Sequence, residues 1–363
     1  MCKKILFFQA MKRSCIFILL SILVFYLKEG YELITADAPV KCAATGNLSD
    51  VAEEVIAIPL ETNLHCQLGH VHRIKRDGNH LFLLSKRQLY HFSCSGKFIN
   101  QITYTGQFHK NSFTVSDYVV DAIHKQLIVM DDKLNAHYFN YEGDYLGRID
   151  LSKHRTWNSL SKLSYYDNHL YATAERQIQR KEAGNRYYVE QWLYKFDTTF
   201  NEVETRQLTN AELGRFTLGQ AFAPEVAVAN KQVYVQSPSM QPDLLLRDTL
   251  YLINQNKLDI TDDYPYILPI RINKRFLIST HYNAQVEEKS YTFCFDRLKN
   301  QAYNVAGGLT DNFYQTGNVP ELQPMDINNN YYCYCKTGKD VEELFPERTT
   351  DSNPVLFIIK LKA

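Results

Sequence analysis

An all-β fold is predicted by three features: an abundance of aromatic residues, short apolar segments broken by polar turns, and the repetition of one such pattern. Tyr (25) and Phe (20) are plentiful, and aromatic and β-branched side chains suit half-buried pleated surfaces. From His80 to Ile102 the chain reads HLFLLSKRQLYHFSCSGKFINQI: strand, polar break, strand ending in an aromatic, glycine turn, strand. From Gln126 to Ile149 it reads QLIVMDDKLNAHYFNYEGDYLGRI, the same parts in the same order.

Before the repeats, Met11-Lys12-Arg13 precede the apolar run SCIFILLSILVFYL, Ser14 to Leu27. A spanning helix wants about 20 apolar residues, so residues 1–38 are expected to be an export signal, with an uncleaved N-terminal membrane anchor as the alternative. Ala36-Asp37-Ala38 has a small-x-small form. A lipoprotein would place a cysteine where Leu27 and Lys28 stand, and Cys42 follows APVK, which does not fit that pattern. Residues 39–54 are read as a linker and 55–363 as the folded domain.

The strand grammar persists downstream. HLYATAE at His169 leads to EQWLYKFDTTFNEVETRQL at Glu190. QVYVQSP at Gln232 is followed by DTLYLINQNKLDI at Asp248, RFLISTH at Arg275 by SYTFCFDRLKNQAYNV at Ser290, and YYCYCKT at Tyr331 by NPVLFIIKLK at Asn353. Each unit is preceded by one more short strand: HRIK at His72, DYVVD at Asp117, KLSYY at Lys162, PEVAV at Pro224, PIRI at Pro269 and PMDI at Pro324. Four strands per unit at a period of about 40–50 residues is the arithmetic of a β-propeller blade. Six blades are expected, and the last lacks a fourth strand that VIAIPLE, Val55 to Glu61, can supply, closing the ring and removing open edges. Seven blades, or a two-domain β-sandwich, are the alternatives. A short helix is conceivable within Thr209–Phe222.

Ile58-Pro59-Leu60-Glu61-Thr62, followed by repeats of the form F-x-x-x-GKF-I (Phe92 to Ile99), resembles a family of exported Bacteroides-type six-bladed propellers, itself similar to NHL-repeat propellers. The resemblance spans roughly Val55 to Lys362. Relatives often carry a GQGPGEY-like turn, of which Gly106-Gln107-Phe108-His109-Lys110 keeps the opening Gly-Gln. The resemblance implies the fold and export, and brings no catalytic residues.

Lys+Arg and Asp+Glu both number 40, giving a net charge of +0. Without a basic stripe to neutralise phosphates, nucleic acid is not an expected partner. Two of the eight cysteines lie in the leader and the other six show no framework spacing. A chain of this length does not need disulfides to hold a core. Cys333 and Cys335 fall on one face of a strand and read as small apolar residues.

Function on such a scaffold belongs to the loops at the channel mouth. The loops after each second strand are expected at Ser85–Arg87, Asp131–Asn135, Glu175–Tyr188, Ser237–Arg247, Thr280–Lys289 and Lys336–Asn353. Arg87, Asp131, Asp132, Lys133, Arg176, Arg186 and Tyr187 form the expected binding rim, with Arg180 and Lys181 beside them. Its arginines suit anionic sugar or peptide groups; a solvated basic edge is the plainer reading. His65, Cys66, His70 and His72 in HCQLGHVH have metal-ligand chemistry, although packed or surface histidines are commoner. Asp131 and Asp132 could hold Ca²⁺ at the channel mouth, or Asp131 could cap its own turn.

No resident cofactor is expected. The favoured function is a monomeric, non-enzymatic binding module in the periplasm or envelope for a peptide, a glycan or an envelope protein. A metal-dependent, lactonase-like hydrolase or lyase is the alternative, using Glu225, Asp326 and Asn328 at the channel mouth.

Overall fold

Two-residue turns that take positive φ convert the apolar runs into hairpins. Lys86 and Arg87 (φ 51° and 58°) form one, Asp167 and Asn168 (51° and 56°) another; paired positive φ is the type I′ geometry that matches strand twist. The computed structural model describes residues 40–43, 46–103, 114–152, 160–180, 186–213, 225–229, 232–236, 239–240, 246–247, 266–267, 271–283, 289–319, 321–325, 330–349 and 351–363. The leader and Gly106–Lys110 lie outside them.

Strand β1 (Val40–Ala43) is followed by the short helix α1 (Leu48–Val51) and strand β2 (Ala52–Pro59). The first blade comprises β3 (Val71–Asp77), β4 (His80–Ser85), β5 (Gln88–Ser93) and β6 (Phe98–Ile102). The second holds β7 (Val115–Asp121), β8 (Gln126–Asp131), β9 (Asn135–Asn140) and β10 (Tyr145–Asp150). The third holds β11 (Leu160–Tyr166), β12 (His169–Arg180), β13 (Arg186–Phe196) and β14 (Glu202–Leu213). Each is an antiparallel meander.

The fourth unit departs from this plan. Among the described residues it contributes one hairpin, β15 (Glu225–Ala229) with β16 (Gln232–Gln236), and a two-residue ladder, β17 (Ser239–Met240) with β18 (Leu246–Arg247). The strands expected at Asp248–Ile260 fall outside the described residues, as does closure of the ring there.

In the next blade, β19 (Tyr266–Ile267) and β20 (Arg271–Ile272) pair with different stretches of β21 (Phe276–Asn283), which continues to β22 (Lys289–Asp296) and β23 (Gln301–Ala306). β1 joins its outer edge in parallel with β23. A small hairpin, β24 (Leu309–Asp311) and β25 (Gly317–Val319), leads to the last blade: β26 (Gln323–Pro324), β27 (Tyr331–Lys336) and β28 (Val355–Leu361). β2 is its outer strand, antiparallel to β28 over Ala52–Pro59, as the VIAIPLE stretch led us to expect.

The expectation of six blades is corrected: five blade-sized sheets are present among the described residues, because the fourth unit pairs no further than its two short ladders. The segment read as a linker is packed onto the fold. β1 extends a sheet, and Leu48 and Val51 of α1 are fully buried. Thr209–Leu213, where a helix was conceivable, continues β14.

The core lies between blades. Strands β4, β8 and β28 are buried on both faces, while edge strand β10 alternates. One apolar cluster joins the last and first blades through Ile58, Leu60, Ile74, Leu83, Met325 and Leu356. Others join first to second through Phe82, Tyr118 and Phe139, and second to third through Ile128, Leu170 and Phe196. A fourth, with Phe276, Cys294, Tyr332 and Phe357, joins the fifth unit to the last.

The inner strands β3, β7 and β11 each carry a bulge, and a polar brace connects them. Arg73 Nη1 donates to Asp117 Oδ1 at 2.5 Å, and Asp117 Oδ2 accepts the Leu163 N–H at 2.6 Å. The Tyr118 hydroxyl donates to the Arg73 and Phe82 carbonyls at 2.5 and 2.7 Å. Removing one partner of a buried pair strands the other, at about 3–5 kcal/mol. Asp117→Ala is therefore expected to lower unfolding free energy by about 3 kcal/mol, read by urea denaturation; a loss below about 1 kcal/mol would make the brace incidental.

Candidate functional site

The expected rim is divided between two places. Arg87, on the β4–β5 turn, and Asp132, on the β8–β9 turn, approach to 3.7 Å with side chains 60% and 46% exposed. Lys133 is exposed beside them. A solvated pair of this kind contributes about 0–1 kcal/mol.

Arg176, Arg186 and Tyr187 are not on a loop. The polar stretch read as a long insertion continues β12 and β13 as a ladder from Leu170↔Phe196 to Arg180↔Arg186, with Gln179 opposite Tyr187. β14 extends it, pairing Leu213 with Tyr187. Strands of 11–12 residues make a three-stranded arm about 35–40 Å long at 3.3 Å per residue. Arg176 is engaged on it by Glu190 at 3.0 Å.

Asp131 caps its turn. Oδ1 accepts the Lys133 and Asn135 N–H groups at 2.9 and 2.8 Å, and Oδ2 contacts Asn135 Nδ2 and His137 Nε2 at 2.8 and 3.0 Å. Burial pushes this carboxyl up, but the hydrogen bonds from His137, Asn135 and Lys133 outweigh it and hold the pKa at about 2.

The HCQLGHVH residues do not converge on one point. Cys66 is buried, its thiol pushed up to about 11 by desolvation. The His70 and His72 rings stand 5.8 Å apart, and burial lowers the pKa of His72. Among the described residues, no group of three or more His, Cys, Asp or Glu side chains is placed to hold a metal ion. Asp326 and Asn328 lie outside the described residues, and of Glu225 the backbone in β15 is described. Cys333 is buried at the seam between last and first blades, and Cys335 packs beside it.

That seam carries a feature the sequence reading missed. A cleft of about 920 Å³ opens between the first and last blades. Gln67, Gly69, His70 and Lys86 line its first-blade side; Glu321, Gln323, Cys335, Lys336, Asp340 and Asp351 line the other. Two of its lining segments, 67–71 and 351–354, are fastened together by Asn353, in the last of the expected loops. Asn353 Nδ2 donates to the Glu61 and Cys66 carbonyls at 2.6 and 2.7 Å, and Oδ1 accepts the Leu68 N–H at 2.8 Å. Gly69 N–H donates to Ser85 Oγ at 2.8 Å, and Lys86 Nζ donates to the Gln67 carbonyl at 3.0 Å.

Lys336, with its side chain 11% exposed, donates to the Asn318 carbonyl at 2.7 Å and reaches Asp340 at 3.5 Å. Its charge is thus largely answered within the wall. Glu321 and Asp351 have no ion-pair partner among the described residues, so the last-blade side is acidic and the first-blade side is basic through Lys86.

Blade sheets packed face to face around bulged inner strands, with a polar cleft at one seam, define a β-propeller. Residues 32–360 match the domain of unknown function DUF4934, and the chain belongs to that family. It is similar in fold to a presumed exported protein of Bacteroides fragilis NCTC 9343, with 16% identity and a TM-score of 0.59 over 89% of this chain and 100% of that one. A member of the DUF4221 family from Bacteroides vulgatus ATCC 8482 matches over 86% and 97% of the two chains, with 9% identity and a TM-score of 0.37. No curated protein matches. Among the described residues no helix is long and apolar enough to cross a membrane.

Two outcomes test the geometry. Asp131 has a folded pKa of about 2 against an ordinary 3.8, so its stabilisation is complete above about pH 5 and is lost as pH falls toward 2. Asp131→Asn should be about 2 kcal/mol less stable near neutrality, with the difference shrinking to about 0.4 kcal/mol at pH 2 and vanishing near pH 1; a pH-independent difference would contradict the assignment. Asn353→Ala, which strands two carbonyls and an N–H, should cost about 2–3 kcal/mol and accelerate amide exchange at Cys66 and Leu68.

Proposed function

We propose that this chain is an exported, monomeric binding module of the periplasm or cell envelope, taking a peptide, a glycan or a segment of an envelope protein in the seam cleft. The observation that carries the reading is the cleft itself. It is of ligand size and polar, and Asp351, Ser352 and Pro354, the chain neighbours of the buried Asn353, line one side of it. Export is supported by the apolar run Ser14–Leu27 behind Lys12-Arg13 and by the likeness to the Bacteroides fragilis protein. Retention at the membrane through the same run fits the reading equally well.

The test is a glycan and peptide array probed with the full chain and with the Lys86→Glu and Asp351→Lys variants. Binders are expected to lose at least tenfold in affinity in either variant while thermal stability is unchanged. Binding that is indifferent to both substitutions would move the site away from the seam.

A further inference from the structure

Among the described residues the inner strand of the last blade, β26, is two residues long, and the cleft lies beside it. β28 pairs with β27 along its whole length, Tyr331 to Lys336. On the other side, β26 covers Cys333 and Tyr332 alone. The Met325 N–H donates to the Tyr331 carbonyl at 2.9 Å, so Tyr331 directs its main chain toward β26, as does Cys333 opposite Gln323. In an antiparallel ladder this direction alternates, and Cys335 is the next residue with the same orientation. Glu321, which would face it if β26 ran on, makes no backbone hydrogen bond to it. The N–H and C=O of Cys335 are therefore an open strand edge in the cleft wall.

An open edge flanked by side-chain pockets is the geometry that accepts an extended peptide as an added strand. The charges around it are of opposite sign on the two sides. Lys86 keeps two of its three donors free after serving the Gln67 carbonyl, and His70 is exposed next to it. Glu321 and Asp351 stand across the seam.

We propose that the cleft binds an extended peptide that continues the inner strand of the last blade, pairing with the Cys335 main chain. A basic group of the peptide is held by Glu321 and Asp351, and an acidic group or free carboxylate by Lys86. The proposal rests on the cleft being the binding site and narrows the ligand to peptide. A glycan meets the same side chains but has no alternating N–H and C=O groups with which to extend the ladder.

The probe is a set of fluorescent pentapeptides with a basic residue at one end and an acidic residue at the other, titrated into the full chain by anisotropy. Each is compared with versions N-methylated at odd or at even amides. Strand addition uses alternate amides, so one methylation register is expected to weaken binding at least tenfold and the other to change it less than about threefold. Glu321→Gln and Lys86→Gln should each weaken binding at least fivefold with an unchanged melting temperature, and bound peptide should slow amide exchange at Cys335.

Equal effects of the two registers, or no protection of Cys335, would overturn strand addition. Glycan binding that is lost in Lys86→Glu, without peptide binding, would overturn the peptide proposal and leave the cleft reading standing. If neither class of ligand responds to cleft substitutions, both fail.

Discussion

The carboxylate of Asp117 is the constraint on which this side of the ring depends. Blades pack through flat apolar faces, which resist separation but specify rotation and sliding poorly. A buried charge with fixed partners supplies that specification: one oxygen holds Arg73 from the first blade and the other holds the Leu163 N–H from the third. The bulges in β3, β7 and β11 turn these groups toward one another, since a bulge bends its strand and re-aims its neighbours. Arg73 sits at positive φ within its bulge, and the Tyr118 hydroxyl caps the carbonyl there. Apolar packing supplies the larger share of the stability, and this polar network selects one arrangement from those the packing would allow.

A second fastening operates at the seam, where residues almost a chain length apart must meet. The IPLET stretch is spent on it. Leu60 O accepts Arg348 Nη2 at 2.9 Å, Glu61 Oε2 accepts the Phe98 N–H at 2.9 Å, and Thr62 Oγ1 accepts the Asn353 N–H at 2.8 Å. Gly96 in the GKF turn takes φ +83° and lies so close that an added Cβ would fall 2.1 Å from the Pro59 carbonyl oxygen. Its own carbonyl accepts the Glu61 N–H at 2.8 Å. The two most specific pieces of the sequence thus touch each other. They are a joint between the N-terminal strand, the first blade and the last.

Legibility in the sequence followed the reach of the interactions. The first two blades were readable because their strands alternate or run apolar and some turns carry their own signal, as in the Asp131 cap and the glycine of the GKF turn. The arm of β12, β13 and β14 was not. ERQIQRKEAGNRYYVEQ is mostly charged and amide residues, and a strand without a continuous apolar pattern looks like a loop until its partners are known. The fourth unit had strand composition without the pairing to match among the described residues. The cleft was invisible for another reason: it is made by a strand that stops early, and by Asn353 bonding to residues some 290 positions away.

An exposed strand edge is ordinarily a hazard, because it pairs with any strand that meets it. Here the exposed portion is short, centred on Cys335, and recessed in a cleft rather than presented at the rim of a sheet. Charged residues on both sides, Lys86 and Lys336 with Glu321 and Asp351, exclude the apolar strands that drive aggregation. On the proposed strand addition, a peptide would have to bring complementary charges and a backbone narrow enough to enter between two blades. Desolvating those charges without partners would cost more than the added ladder bonds return. On that proposal, the same groups that protect the edge from unspecific pairing would restrict its occupants to strands of matching charge.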